Sequence, residues 1–170
     1  MTAPEDAALT APEDAALTAP EDAALTTTTP DTALATALAA EHAGVYAYGV
    51  LGAHLSGAAR ADAVAAETAH RARRDALLLR MADAGTSATP AAPAYALPFP
   101  VTGRDTALRL AVLVEERTAA AWRAAVPATA AADRVTAIAS LTDCAVRATR
   151  WRRRADPAVP ATVPFPGSSA

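Results

Sequence analysis

The sequence predicts an all-α protein, a four-helix bundle with one long crossover between its second and third helices. Three observations predict it. Four stretches carry apolar residues at alternating spacings of four and three, the spacing of a helix face turned to its neighbours. The connections between them are short, long and short. Alanine, the best helix former, dominates all four stretches.

The first helix is expected from Pro30, capped by Thr29, to about Leu55. Its inward stripe is Leu34, Leu38, Glu41, Val45, Tyr48, Gly52 and Leu55. Ser56-Gly57 then makes a tight connection. The second helix is expected over about 58–84, with Ala63, Glu67, His70, Arg74, Leu77 and Met81 along one face and Gly85 as C-terminal cap. Residues 85–101 contain Pro90, Pro93, Pro98 and Pro100 and cannot be helical. Thr102 and Asp105 resemble a capping box with Asp in place of Glu. The third helix follows to about Val126, with Leu108, Val112, Glu115, Ala119, Trp122 and Val126 in one stripe, and Pro127 marks a second short connection. The fourth is expected over about 131–153, with Val135, Ile138, Thr142, Ala145 and Thr149 inward.

The connection lengths set the topology. An extended segment of this length reaches roughly 55 Å at ~3.3 Å per residue, whereas the second helix is about 40 Å long. The segment can therefore return along the bundle, and the third helix can start where the second started. Short, long, short is the pattern of a ferritin-like bundle.

Around this domain (29–154) lie two tails. Residues 1–28 hold three copies of Thr-Ala-Pro-Glu-Asp-Ala-Ala-Leu, starting at Thr2, Thr10 and Thr18. Each unit opens like a helix start, but the next Pro arrives before a stable helix can grow, so a disordered acidic tail is expected. Residues 155–170 are Pro-rich and are expected to form a surface tail.

Composition narrows the function classes. The formal net charge is −3, and the first 25 residues carry six acids and no base, which leaves the remainder at about +3. Neither value marks a nucleic-acid binder. All basic residues are Arg, which reads as GC-rich coding of an actinobacterial kind. The single Cys144 excludes an internal disulfide and a Cys-based zinc cluster, and is expected to be an inert buried thiol. The polar, acidic start and the lack of an ~18-residue apolar run argue against a secretory leader and a membrane span, so a cytoplasmic location is expected. No Ser-His-Asp set, Gly-rich phosphate loop or Cys-x-x-Cys motif identifies a catalytic residue or a small-molecule substrate.

The candidate site is Glu41, Glu67, His70 and Glu115. Each falls on the inward stripe of its helix, where a charge is costly unless paired or bound to metal. With the crossover topology all four reach one level, and Glu67-x-x-His70 places both groups on one face. Several carboxylates with an imidazole are what a pair of hard metal ions requires. An alternative neutraliser is Arg74, whose fork could join Glu41 and Glu115 in a metal-free network. Glu116 lies about 100° off the stripe of the third helix, and Asp143 sits to the side of the fourth.

The chain resembles an actinobacterial ferritin-like family catalogued as a domain of unknown function. The resemblance rests on Glu41-His42-Ala43-Gly44-Val45-Tyr46-Ala47-Tyr48-Gly49, on Ala69-His70-Arg71-Ala72-Arg73-Arg74-Asp75, on residues 93–100 and on residues 148–152. Ferritin-like di-iron proteins place Glu on the first helix, Glu-x-x-His on the second, Glu on the third and Glu-x-x-His on the fourth. Glu41, Glu67, His70 and Glu115 match the first three. The fourth helix has neither His nor Glu, so the resemblance implies an incomplete site.

Two functions are therefore expected to compete. One is a structural or partner-binding protein with a vestigial site, no cofactor, and homodimerisation through its alanine-rich faces. The other is a metal-dependent oxidoreductase or iron-binding protein that uses iron or manganese at the four residues. Tyr46 and Tyr48 are expected in the core near Glu41, with hydroxyls on polar neighbours. His42 and His54 are expected to face solvent or helix ends. Arg147, Arg150, Arg152, Arg153 and Arg154 form a basic cluster suited to the C-terminal dipole of the fourth helix, and the acidic tail could dock on it.

Overall fold

The computed structural model describes residues 28–168. Among them are four α-helices and no strand: α1 Pro30–Gly52, α2 Gly57–Asp83, α3 Arg104–Ala128 and α4 Ala131–Ala155. The acidic repeats, and with them the expectation of a disordered tail, lie outside the described residues.

Local chemistry fixes the helix ends. Thr29 caps α1, its hydroxyl accepting from the Thr32 amide at 3.2 Å, with Pro30 in the first turn. The chain leaves α2 through Gly85, whose φ of +68° needs no strain without a Cβ. Gly85 N–H donates to Ala82 O, and Thr86 N–H to Met81 O, the two bonds of a Schellman closure. At α3 the capping group differs from the expected Thr102 and Asp105. The Thr106 hydroxyl takes the amides of both Thr102 and Gly103, at 3.0 and 3.1 Å. Pro127 falls inside the last turn of α3 rather than after it. The α3–α4 link is closed by Arg134, whose Nε donates to the carbonyl of Thr129 at 2.7 Å.

Cross-helix contacts give the directions. Glu41 meets Trp122 and Tyr48 meets Glu115, so α1 and α3 are antiparallel. Arg154, Arg73 and Arg80 pair with Asp62, Asp143 and Asp133 along the α2–α4 seam, which is antiparallel too. The segment between α2 and α3 touches both ends of the bundle. Ala88 packs near Leu34, Leu77 and Trp122, while Leu97, Phe99 and Val101 pack near Leu51, Leu108 and Trp151.

The core falls into two apolar clusters. One contains Leu51, Leu55, Leu108, Leu110 and Trp151; the other contains Leu34, Leu38, Leu77, Met81 and Trp122. Between them lies a buried polar level built from Glu41, His70, Glu115, Thr118 and Ser140.

Two faces differ from expectation. On α2 the inward residues are Ala59, Ala63, Ala66, His70, Leu77 and Met81, so Ala66 rather than Glu67 holds the inward place below His70. On α4 they are Ala137, Ser140, Cys144, Ala148 and Trp151. Val135 and Ile138 are 68% and 48% exposed, so the stripe expected inward is turned out. The physical reason is volume. Trp122 of α3 clusters with Ala137, and Arg73 of α2 reaches Cys144, so the first half of α4 presents small side chains against bulk supplied by its neighbours.

Candidate functional site: a buried carboxylate–histidine–arginine network

The polar level is built by side chains from all four helices. Glu41 of α1, His70 of α2 and Glu115 of α3 are each 0% exposed. His70 lies between the two carboxylates. Its Nδ1 is 2.6 Å from Glu41 Oε2, and its Nε2 faces Glu115 Oε1 at 3.4 Å, too long and too poorly aligned for a full hydrogen bond. Gly44 makes room for the ring, since a Cβ at that position would stand 2.9 Å from Nδ1.

Glu41 is saturated. Besides His70, its Oε1 accepts from Arg73 Nε and from Trp122 Nε1, both at 2.7 Å. Arg73 continues outward, donating from Nη1 to Asp143 at 2.6 Å, and Asp143 also pairs with Arg147. Glu115 accepts from the Tyr48 hydroxyl at 2.6 Å, and that hydroxyl accepts from Trp151 Nε1 at 2.8 Å.

The protonation states follow. A carboxylate oxygen 2.6 Å from Nδ1 requires a proton on that nitrogen. The 3.2 Å approach of Arg73 Nη2 to Nδ1 is then a packing contact between two donors. Burial alone would lower the pKa of His70, but Glu115 and Glu41 outweigh it and raise it above the ordinary imidazole value. Burial would raise the carboxyl of Glu41, but the hydrogen bond and charge of His70, with the charge of Arg73, hold it below its ordinary value. With His70 protonated, Glu41, Glu115 and Asp143 balance His70, Arg73 and Arg147, and no net charge is buried. Burial, with Glu115 beside it, pushes the Tyr48 phenol well up, so it donates as a neutral hydroxyl. Burial also raises the Cys144 thiol, in keeping with an inert side chain beside Arg73.

A family described as a domain of unknown function (DUF4439) matches residues 33–170. The chain belongs to the DUF4439 family. A solved structure, that of a conserved hypothetical protein from Mycobacterium tuberculosis, is similar to it at 41% identity and a TM-score of 0.71, covering 74% of this chain and 96% of that one. No match to a curated protein was found.

Of the four expected residues, this DUF4439 chain brings Glu41, His70 and Glu115 together and leaves Glu67 apart. Glu67 is partly exposed and pairs with Arg71 one turn along α2. The neutralising arginine is Arg73, one position before the expected Arg74, which pairs with Asp75 at the surface. His42 is 8% exposed rather than solvent-facing, and burial and the nearby Arg74 lower its pKa. Tyr48 is core with its hydroxyl on a polar neighbour, as its spacing predicts. Sequence reasoning missed Arg73, Trp122 as a donor to Glu41, and Gly44. The small residue at position 44, one turn after Glu41, was a usable signal.

The residues present fit a ferritin-like metal pair poorly. Both oxygens of Glu41 and one of Glu115 are occupied by donors. Of Glu41, His70 and Glu115, only His70 Nε2 and Glu115 Oε2 lack hydrogen-bond partners, and two ligand atoms do not hold a hard divalent cation. The Arg73 guanidinium adds a positive charge against Glu41. Among the described residues no group of three His, Cys, Asp or Glu is arranged to hold a metal ion.

Proposed function

We propose that this chain is a ferritin-like bundle, with residues 84–103 as its single crossover, whose carboxylate site is vestigial and whose role is structural or partner-binding. The antiparallel pairing of α1 with α3, and the contacts of the connecting segment with both core clusters, support the topology. The observation that carries the functional reading is the 2.7 Å bond from Arg73 Nε to Glu41 Oε1. It gives the buried carboxylate a fixed positive partner where a di-iron protein uses metal. A charged network of this kind specifies how four alanine-rich faces register against one another. Homodimerisation through those faces belongs to the same reading. No helix among the described residues is long and apolar enough to cross a membrane, which is consistent with a bundle that works outside the bilayer.

The test is elemental analysis of protein expressed in iron- and manganese-supplemented medium, together with melting in the presence of Fe²⁺ or Mn²⁺. The expected result is sub-stoichiometric metal and an unchanged melting temperature. Stoichiometric metal that is lost in Glu115→Ala would overturn the proposal in favour of a metal-dependent oxidoreductase or iron-binding protein.

A further inference from the structure

The outer face of α3 and α4 holds a groove of about 1170 Å³, walled on its far side by the C-terminal segment 162–168. Gly167 fixes that wall. Its φ is +78°, and a Cβ there would stand 2.8 Å from the carbonyl oxygen of Ala119. Arg152 adds a second tie, donating to the carbonyl of Ala161 at 2.9 Å. The floor is apolar, with Leu113, Leu141 and Val146. The rim is basic. Arg117, Arg150 and Arg153 are exposed and have no acidic partner among the described residues, unlike Arg147, Arg152 and Arg154.

We propose that this groove binds the chain's own acidic N-terminal repeat, in cis. Charge complementarity supports this occupant: residues 1–25 carry six acids and no base, while three arginines with no acidic partner among the described residues ring the groove. The repeat also supplies the apolar half of the match. Glu13 and Leu17, like Glu5 and Leu9, stand four apart, a spacing that sets an acid and a leucine on one helical face. One such pair meets an apolar floor and a basic rim at once.

Reach and route agree. Asp31 lies close enough to Arg80 to act on its charge, and Arg80 pairs with Asp133, so α1 and α4 begin at the same end of the bundle. The groove spans α4 from Leu141 to Arg153, roughly 15–33 Å from that end at 1.5 Å per residue. Leu17 lies twelve residues before Thr29, a span of up to ~40 Å when extended. The exposed Val135 and Ile138 lie on α4 between its start and the groove.

The experiment places a nitroxide on Ala16→Cys in the full ¹⁵N-labelled chain; Cys144 is buried and does not compete for the label. At low salt the label is expected to broaden the amide signals of Leu113, Val146 and Arg150. Broadening should vanish in about 1 M salt, where the screening length falls to ~3 Å. It should also vanish in Arg150→Glu/Arg153→Glu and, independently, in Glu13→Gln/Asp14→Asn, whose changes lie at exposed or tail positions. No broadening at low salt, or broadening unaltered by either charge change, would overturn the proposal. Broadening of an unlabelled ¹⁵N chain mixed with a spin-labelled ¹⁴N chain would assign the groove to the tail of a second copy and overturn binding in cis. None of these outcomes depends on whether the buried network holds metal.

Discussion

Arg73 reaches Glu41 across the α1–α2 interface and bonds it through Nε at 2.7 Å, while its neighbour Arg74 turns to Asp75 at the surface. The two arginines are adjacent in sequence and 100° apart around the helix, so substitution separates their roles. Arg73→Ala leaves the buried Glu41 short of its fixed positive charge and is expected to cost about 3–5 kcal/mol. Arg74→Ala is expected to stay within about 0.5 kcal/mol. Urea unfolding of both variants checks this, and equal losses would return the neutralising role to Arg74.

Stability should depend on pH through two groups of opposite sign. The folded pKa of His70 is raised, so its contribution is complete below the ordinary imidazole value of 6.5 and is lost as pH rises through the folded value. The folded pKa of Glu41 is lowered, so its contribution is present above 4.5 and is lost as pH falls through the folded value. Both act together between these limits. A melting series is expected to peak in that weakly acidic window. His70→Gln should flatten the alkaline limb, and an undiminished fall above pH 6.5 in that variant would show that another group is responsible.

Gly44 and Gly49 offer a matched pair on α1. A methyl at 44 meets the buried His70 ring at 2.9 Å, whereas one at 49 meets nothing within 4 Å. Gly44→Ala is expected to destabilise by about 1–3 kcal/mol through overpacking. Gly49→Ala is expected to stabilise by about 0.5–1 kcal/mol, since it removes backbone entropy from a helix interior. Thermal melts of the two variants should shift in opposite directions.

Tyr48 links the polar level to the upper core by giving its proton to Glu115 and accepting from Trp151. Tyr48→Phe strands both partners in a dry interior. A loss of about 1–3 kcal/mol is expected, the usual cost of a buried polar group left unpaired. A loss below about 0.5 kcal/mol would mean that water reaches Glu115 in the variant.

The number and order of the helices were legible because their apolar spacing, their Pro and Gly punctuation and their capping Thr29 all agree. Glu41, His70, Glu115 and Trp122 were legible for the same reason: each is a polar or large residue locked into a stripe of buried neighbours. Glu67 and Arg74 were misplaced because α2 is nearly featureless. Ala63, Ala66 and Ala72 make two adjacent faces look equally apolar, and only packing shows that Ala66 points in. On α4 the larger residues Val135 and Ile138 drew the expected face toward themselves. The true inward line starts with the small residues Ala137, Ser140 and Cys144, which face Trp122 and Arg73, and brings its own bulk only at Trp151. Residue size alone therefore misleads where one helix brings bulk and its neighbour brings room.

The central claim is that a protonated His70 and Arg73, not a metal ion, neutralise the buried carboxylates. Long-range ¹H–¹⁵N spectra of the histidine ring at about pH 6, below the ordinary imidazole value of 6.5, test it most directly. The expected result is a proton on both ring nitrogens of His70 in protein prepared with iron and manganese available, with the ring turning neutral at a lower pH in Glu41→Gln than in the wild type. A ring nitrogen of His70 without a proton in the wild-type protein, or a signal broadened beyond detection by a bound paramagnetic ion, would contradict it.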